Sequence, residues 1–427
     1  MRAFFASVPR RERLAVAGAM ALSLTIVVCY VLATRPNSLA GDQREYHDMA
    51  VLFTQGKPWW GFLPSGVEHA SAYRPPAYPL WTGFWYEVLG TSSTRLLLVQ
   101  SLLAPLTVLL SWFMARRLFG ARAAIATAFV VAVFPFVWEW FGLLYTEALA
   151  IPLSVLILIA LLERPPTPQR AAVLGGLMGL ALLIRPTSLF LFAGILAAFV
   201  LATGWRRGGA LTAVSIGIAA LVILPWTIRN YVVTDEFIPL SVQDAALHGT
   251  FNETSANDPE DPYSWRPSTP EVEALLAEGP ISDAEYRNEL IDLGKDYIVD
   301  HPFSVVEAFY WNGVTRFWDI RRPGNSLDEV DFEGRSKAVT TMGLAMHWIL
   351  LPLAIVGVWR HRRRRTLVMP VLALALAASL VFTVAAGTRY RAPLEPLIAM
   401  MAVAAFVPQR EAQVTEPPAP QTASTPA

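Results

Sequence analysis

Stretches of about 16–22 apolar residues recur along this chain, and each is long enough to cross the hydrocarbon of a bilayer as a helix. They fall at 14–34, 96–114, 122–138, 146–162, 171–184, 187–203, 209–228, 340–359, 366–386 and 393–408. Within lipid, each segment must satisfy its own backbone N–H and C=O groups, and continuous apolar runs do so as helices. The expected fold is an all-α polytopic membrane bundle of about ten transmembrane helices. Of the 427 residues, 54% are hydrophobic and only 16% charged, where a soluble domain carries about a quarter charged. Mean hydropathy is +0.42. The fifth and sixth windows are divided only by Arg185-Pro186. Proline breaks a helix there, and arginine favours water or a phosphate.

Arg10, Arg11 and Arg13 precede the first window, and Ser38-Leu39-Ala40 resembles a signal cleavage site. The run of about 20 residues is longer than a signal core, so it reads as a retained span. Arg2, Arg10, Arg11, Arg13, Arg116, Arg117, Arg122, Arg206, Arg207, Arg360 and the run Arg362 to Arg365 all fall on one side if ten spans are correct. That side is expected to be cytoplasmic, with both termini, in a plasma (inner) membrane protein. The organisation expected is a transmembrane module over 1–228 with an outer loop at 35–95. An outer segment at 229–339, transmembrane helices over 340–408 and a Pro-, Thr- and Ala-rich disordered tail at 409–427 follow.

A net charge of zero gives no case for nucleic-acid binding, and one cysteine, Cys29, excludes an intrachain disulfide or a Cys-based metal site. No Walker loop, dinucleotide fingerprint or Ser-hydrolase elbow occurs.

The two outer segments carry amphipathic patterns suited to the membrane interface. Tyr46, Met49, Ala50 and Phe53 recur at helical spacing behind Asp42. Ser282 and Glu285 form a capping-box pattern ahead of Tyr286, Leu290, Leu293 and Tyr297. A further helix is expected from near Pro302, with Phe303, Val306, Tyr310, Trp311, Phe317 and Trp318. Residues 257–262 read as an irregular loop.

Charged residues beside the spans are the candidates for chemistry. Asp42 and Glu45 could cap a helix, as N-cap and N3, or Asp42 could act as a general base on an acceptor hydroxyl. Arg74, in Arg74-Pro75-Pro76, is either part of a rigid turn or a positioned guanidinium. Glu147 begins the fourth window, where a carboxylate needs an ion partner or water. Arg185, Arg229, Arg389 and Arg391 fall at outer span ends. One such arginine is an ordinary snorkelling anchor. Four run against the positive-inside tendency and suit a phosphate, which arginine grips with a fixed fork of donors. His47 and His69 share the first loop with Asp42, Asp48 and Glu68, but their spacing matches no strong metal motif. Asn252-Glu253-Thr254 is a formal glycosylation sequon.

Taken in order, the motifs resemble a family. They are Gly41-Asp42-x-x-Glu45-Tyr46, Arg74-Pro-Pro-Ala-Tyr78-Pro, Tyr145-Thr-Glu147, Gly179-Leu-Ala-Leu-Leu-Ile-Arg185-Pro, Pro225-Trp-Thr-Ile-Arg229-Asn230-Tyr and Arg389-Tyr390-Arg391-Ala-Pro. The series resembles the bacterial GT-C glycosyltransferases of the family 39 type. These comprise protein mannosyltransferases, the lipid A aminoarabinose transferase and Rgt-like sugar transferases. The resemblance implies a membrane enzyme that moves a sugar from a polyprenyl-phosphate donor to an acceptor hydroxyl on a glycan, lipid or protein, with inversion and no cofactor or required metal. It implies Asp42 as the base, with Glu45 beside it, and Arg185, Arg229 and Arg389 on the donor phosphate, to which Arg74 and Arg391 are added as candidates. Tyr46, Tyr78, Glu147, Asn230 and Tyr390 complete the expected site. The chain has Arg74-Pro-Pro where protein mannosyltransferases carry His-Pro-Pro, and a single acid at 42 where they carry an Asp-Glu pair. The alternative reading is a transporter or flippase of a lipid-linked glycan, which calls for charges near the bilayer midplane and repeat symmetry.

Overall fold

The computed structural model describes residues 8–34, 39–62, 67–162, 166–380 and 387–408. Arg2, Ser38, the end of the ninth window at 381–386 and the tail from 409 lie outside the described residues.

In chain order, α1 (Arg10–Thr34) leads to α2 (Asp42–Thr54). A two-stranded antiparallel pair follows, β1 (Trp60–Phe62) and β2 (Glu68–Ala70), with Trp60 opposite Ala70. Next come α3 (Ala77–Leu89), α4 (Ser93–Phe119), α5 (Ala121–Val133), α6 (Glu147–Leu162) and α7 (Pro168–Ile184). Then α8 (Leu191–Thr203) and α9 (Trp205–Thr234) complete the first half. The second half holds α10 (Asp283–Asp300), α11 (Pro323–Glu333), α12 (Lys337–Arg360), α13 (Arg365–Ser379) and α14 (Glu395–Ala404).

Over the described residues each apolar window coincides with helix, but the spans differ in kind. α1, α4, α9 and α12 are 24–30 residues long and apolar enough to cross a bilayer, as is the 18-residue stretch Pro186–Thr203. α6, α7, α13 and α14 have 16, 17, 15 and 10 residues. The third window departs from a straight span. Its helix stops at Val133, and Phe134 is extended with ψ 113°, because the residue before a proline is pushed out of the helical region. From Pro135 the chain turns through 69° and runs on to Gly142. The Arg185-Pro186 break does occur: Arg185 is extended, and a 3-10 turn spans Pro186–Phe190.

The helices pack α4 on α5 and α1, α7 on α9, α8 on α9 and α13, and α12 on α14. Trp112, Phe134, Phe136, Trp140 and Phe141 fill the core. Only a third of the most apolar window of α9 is buried in protein (33%), and its Leu221, Ile228 and Val232 are exposed. An apolar face of that extent belongs against lipid. The chain is a multi-pass membrane protein.

Between the spans, α2 packs on α3 and buries Tyr46, Met49 and Ala50. Ser282 Oγ caps α10 by accepting the Glu285 N–H at 3.2 Å. The helix expected near Pro302 begins as Ser304–Ala308 and widens into a π-helix over Phe309–Arg316. Phe303 and Val306 are exposed on it, whereas Phe317 is buried.

The segment after the π-helix is tied to the bundle by buried charge. Arg391 pairs with Asp319 at 2.8 Å and Glu395 at 2.6 Å, all three at 0% side-chain exposure. Trp348 Nε1 donates to the Asp319 carbonyl at 2.7 Å, and Thr388 and Ser326 hydroxyls donate to its carboxylate. Replacing Arg391 with Met strands two buried carboxylates, which costs about 3–5 kcal/mol. Thermal unfolding of the detergent-solubilised variant checks this, and adding Asp319→Asn and Glu395→Gln restores much of the loss.

Candidate active site

The entry into α2 begins with Gly41, at φ +51°. A Cβ there would lie 2.7 Å from the Phe332 carbonyl oxygen, so only glycine lets the chain turn against α11. Gly41 is the N-cap residue and makes no side-chain capping bond; Asp42 is the first residue of the helix. The capping-box reading of Asp42 and Glu45 is thereby corrected. Both carboxylates have guanidinium partners within reach, and these charge-assisted bonds outweigh a backbone cap. Gln43, between them, locks the helix in place. Its Nε2 donates to the Glu333 carbonyl at 2.9 Å, and its Oε1 accepts the Leu144 N–H at 3.2 Å.

From α2 a continuous run of ion pairs crosses the site. Arg74 Nε donates to Glu45 at 3.0 Å and Arg74 Nη2 to Asp42 Oδ1 at 2.6 Å. Arg389 Nη1 pairs with Asp42 Oδ2 at 2.6 Å, and its Nε with Glu147 Oε1 at 2.6 Å. Arg185 closes the run on the same Glu147 oxygen. Aromatic faces flank each cation: Arg74 lies over Tyr46 and Tyr73, Arg389 over Tyr145, and Arg185 over Tyr390. Tyr78 lies one layer back, edge-on to Tyr46 at 4.8 Å, with its hydroxyl donating to Gln100 at 2.9 Å.

Asp42, Tyr46, Arg74, Arg185, Arg389 and Tyr390 line one wall of a cavity of about 1490 Å³. A single small-molecule pocket is about 300–1,000 Å³, so this one has room for two reactants. Glu147 and Glu45 do not line it and act on its arginines from behind.

Three expected residues sit elsewhere. Arg229 donates to the backbone carbonyls of Ser71 and Trp59 and stacks on Trp226. The neighbouring Asn230 is buried and donates to the Ile238 and Leu240 carbonyls. Arg391 belongs to the Asp319 network. None of the three lines the cavity. His47 and His69 also diverge: His47 contacts the Tyr86 hydroxyl at 2.6 Å, and His69 pairs with Asp283 at 2.9 Å. Among the described residues, no three His, Cys, Asp or Glu side chains gather as a metal site would require. Asn252 is buried, caps a short helix by accepting from Ser255 N–H and donates to the His248 carbonyl, so the amide of the sequon is not presented to solvent.

Glu333, Arg335 and Glu139, which hold the site, were not singled out from sequence. The Tyr145 hydroxyl donates to the Glu333 carbonyl at 2.9 Å. Arg335 pairs with Glu139 at 2.9 Å and with Glu333 at 3.0 Å, tying the bent helix to the end of α11. Glu139, an acid inside an apolar run, was the available signal.

Burial pushes the Asp42 carboxyl up, but Arg74 and Arg389 outweigh it and hold it well below the usual carboxylate range. Burial dominates at Glu45, whose carboxyl is raised despite Arg74. Because the folded value of Asp42 lies below the unfolded value of about 3.9, its stabilisation is fully present above that pH and is lost as pH falls through the folded value. Asp42→Asn therefore lowers the melting temperature at pH 7. The gap from the parent protein narrows below about pH 4, as melts across pH 7 to 3 would register.

Residues 73–229 match the sequence profile of the dolichyl-phosphate-mannose-protein mannosyltransferase family. No curated protein matches the chain in sequence. Among solved structures, the Archaeoglobus fulgidus oligosaccharyltransferase in complex with Zn and sulfate aligns with a TM-score of 0.53 at 15% identity, over 92% of this chain and 48% of that one. The archaeal oligosaccharyltransferase AglB from Archaeoglobus fulgidus, in complex with an inhibitory peptide and a dolichol-phosphate, gives 0.51 at 15% identity, over 93% and 50%. The fold is that of the GT-C membrane glycosyltransferases. ArnT from Cupriavidus metallidurans bound to undecaprenyl phosphate is similar at a TM-score of 0.42 and 16% identity, over 89% of this chain and 77% of that one. This chain spans about half the length of the two archaeal structures. The family that matches is within the group the motif series resembles, and the match covers the Arg74, Glu147, Arg185 and Arg229 motifs.

Proposed function

We propose that the protein transfers a sugar from a polyprenyl-phosphate donor to an acceptor hydroxyl, with inversion at C1. The observation that carries this is the meeting of Asp42 with Arg74, Arg185 and Arg389 from four distant chain segments on one cavity wall. Ile184, Leu189 and Phe190 flank the arginines and would take the start of the lipid chain.

In this reading the donor phosphate lies against Arg185 and Arg389. Both guanidiniums are held by Glu147, so their positions are set before the ligand arrives. Arg389 also grips Asp42, and an anionic phosphate competes for it. As Arg389 turns to the phosphate, Arg74 Nη2 holds Asp42 Oδ1 in place, and Oδ2 is left with only the longer Arg74 Nη1 contact at 3.4 Å. That oxygen takes the proton of the acceptor hydroxyl. The acceptor oxygen bonds to C1, the C1–O bond to phosphate breaks, and its electron pair leaves with the polyprenyl phosphate. The arginines offset the developing charge on the leaving group, and binding both reactants in one cavity supplies proximity. No cofactor or metal is invoked. In this reading Arg229 and Arg391 leave the phosphate site and Asn230 the wider site, and all three serve the scaffold. The arginine bias of the connections supports a cavity opening on the outer face of the plasma membrane, with both termini cytoplasmic.

The test is incubation of purified protein with a panel of polyprenyl-phosphate sugars, reading release of polyprenyl phosphate. Asp42→Asn is expected to lower turnover by about 10²–10⁴-fold while donor binding persists. Arg389→Ala is expected to lose about 10²–10³-fold. Full turnover in Asp42→Asn would overturn the base assignment.

A further inference from the structure

Helix α6 starts beside the cavity, where Thr146 lines the wall, and ends at Leu162 on the far side of the bundle. Several helix ends meet on that far side. Glu12, at the start of α1, pairs with Arg116 at 2.7 Å and accepts the Trp112 Nε1 proton at 3.1 Å, which sets α1 against the end of α4. Arg364 Nη1 donates to the Leu118 carbonyl at 2.9 Å, and its guanidinium lies over Phe119. The turn between α12 and α13 is thus folded onto the same end of α4. Arg170 Nε donates to the Ala160 carbonyl at 2.6 Å, and the Ser215 hydroxyl to the Ala171 carbonyl at 2.8 Å. These bonds bring the starts of α7 and α9 to the end of α6.

Arginine dominates this face. Arg10, Arg11 and Arg13 on α1, Arg117 and Arg122 on either side of Gly120, Arg206 and Arg207 at the start of α9, and Arg362, Arg363 and Arg365 after α12 are all exposed. Among the described residues, the single carboxylate here is Glu12, buried and already paired. In sequence, the undescribed stretches next to these segments carry Arg2, Arg164 and Arg410 against Glu163, Glu411 and Glu416, so they leave the excess unchanged. Like charges on one face repel one another, and anions from outside the chain offset that repulsion.

Two features say which anions these are. Trp205 and Trp359 stand among the arginines at 72% and 62% exposure, and the Arg362 guanidinium lies over the Trp359 ring at 4.5 Å. Exposed indoles at the ends of apolar helices settle in the lipid headgroup layer, which places the arginines in that layer too. Beside them, Phe113, Met114, Leu118, Ile159 and Leu162 line a shallow groove between α4 and α6, together with Arg117. Leu118 belongs to both parts: it lines the groove, and its carbonyl holds Arg364.

We propose that this face binds anionic phospholipid, with the headgroup phosphate among Arg117 and the arginines of the α12–α13 turn and an acyl chain in the α4–α6 groove. The inference is independent of the glycosyl-transfer reading. A guanidinium presents phosphate with a fixed fork of donors. A zwitterionic headgroup brings its own cation to the arginines and gains less from them.

The test uses the full chain in neutral detergent, titrated with dioleoyl phosphatidylglycerol or dioleoyl phosphatidylcholine and read by native mass spectrometry. The anionic lipid is expected to bind at least about tenfold more tightly. Arg117→Gln, Arg363→Gln and Arg365→Gln combined should bring the two lipids to within about threefold of each other, and a melting temperature close to the parent's shows that the variant is folded. Dihexanoyl phosphatidylglycerol, with the same headgroup on short chains, should bind at least about tenfold more weakly than the dioleoyl lipid. Arg185→Ala, which removes a guanidinium from the cavity, should leave the preference intact. Equal binding of the two dioleoyl lipids by the parent protein overturns the proposal. So does a preference that survives the triple substitution, or one that is lost in Arg185→Ala, since the lipid phosphate would then sit in the cavity. Equal affinity for the dihexanoyl lipid, or displacement of bound lipid by glycerol 3-phosphate, would make this a site for phosphate alone and overturns it as well.

Discussion

A carboxylate or guanidinium cannot be buried beside hydrocarbon alone, and the architecture of this protein follows from how its buried charges find one another. The run Glu45–Arg74–Asp42–Arg389–Glu147–Arg185 joins α2, the loop before α3, the start of α6, the break after α7 and the turn before α14. None of these segments is adjacent in the chain. Each ion except Glu45, at the end of the run, carries a partner on both sides or an aromatic face beside it, so the run is held as a unit. Removing any member leaves its neighbours short of a partner.

A second buried system does a different job with the same chemistry. Arg391, two residues after Arg389, turns away from the cavity and binds Asp319 and Glu395. This fixes the segment after the π-helix to α12 and α14, and with it the base of α11. Since α11 supplies the Phe332 and Glu333 carbonyls against which Gly41, Gln43 and Tyr145 are fitted, the scaffold network reaches the cavity wall through backbone contacts. Arg229 likewise clamps the Ser71 and Trp59 carbonyls just ahead of Arg74. Arginines that look alike in sequence thus divide into those that face the cavity and those that hold the frame around it.

Much of the fold was legible because it rests on local signals. Continuous apolar runs read as helices, and Arg185-Pro186 read as a break. Pro135 carried the same signal inside the third window, but the apolar run continued through it, so hydropathy outweighed the backbone restriction in that reading. The amphipathic helices of the loops were visible from Tyr46, Met49 and Ala50, and from Ser282 ahead of α10. The cap expected at Asp42 failed for a reason no local pattern contains: an arginine from thirty-two residues on and another near the end of the chain compete for its carboxylate. Arg229, Asn230 and Arg391 met the same limit. Their place beside span ends was readable, but the direction in which each side chain finds its acceptors was not.

By itself the sequence determined the membrane class, the helical conformation of the apolar windows and a short set of charged residues at their ends, because hydropathy, proline and helical spacing act over a few residues. Only the tertiary structure decided which of those charges share a cavity and which serve the frame. The reason is physical: ion pairing depends on distances of a few ångströms between residues such as 42 and 389, and these distances are set by the packing of the whole bundle.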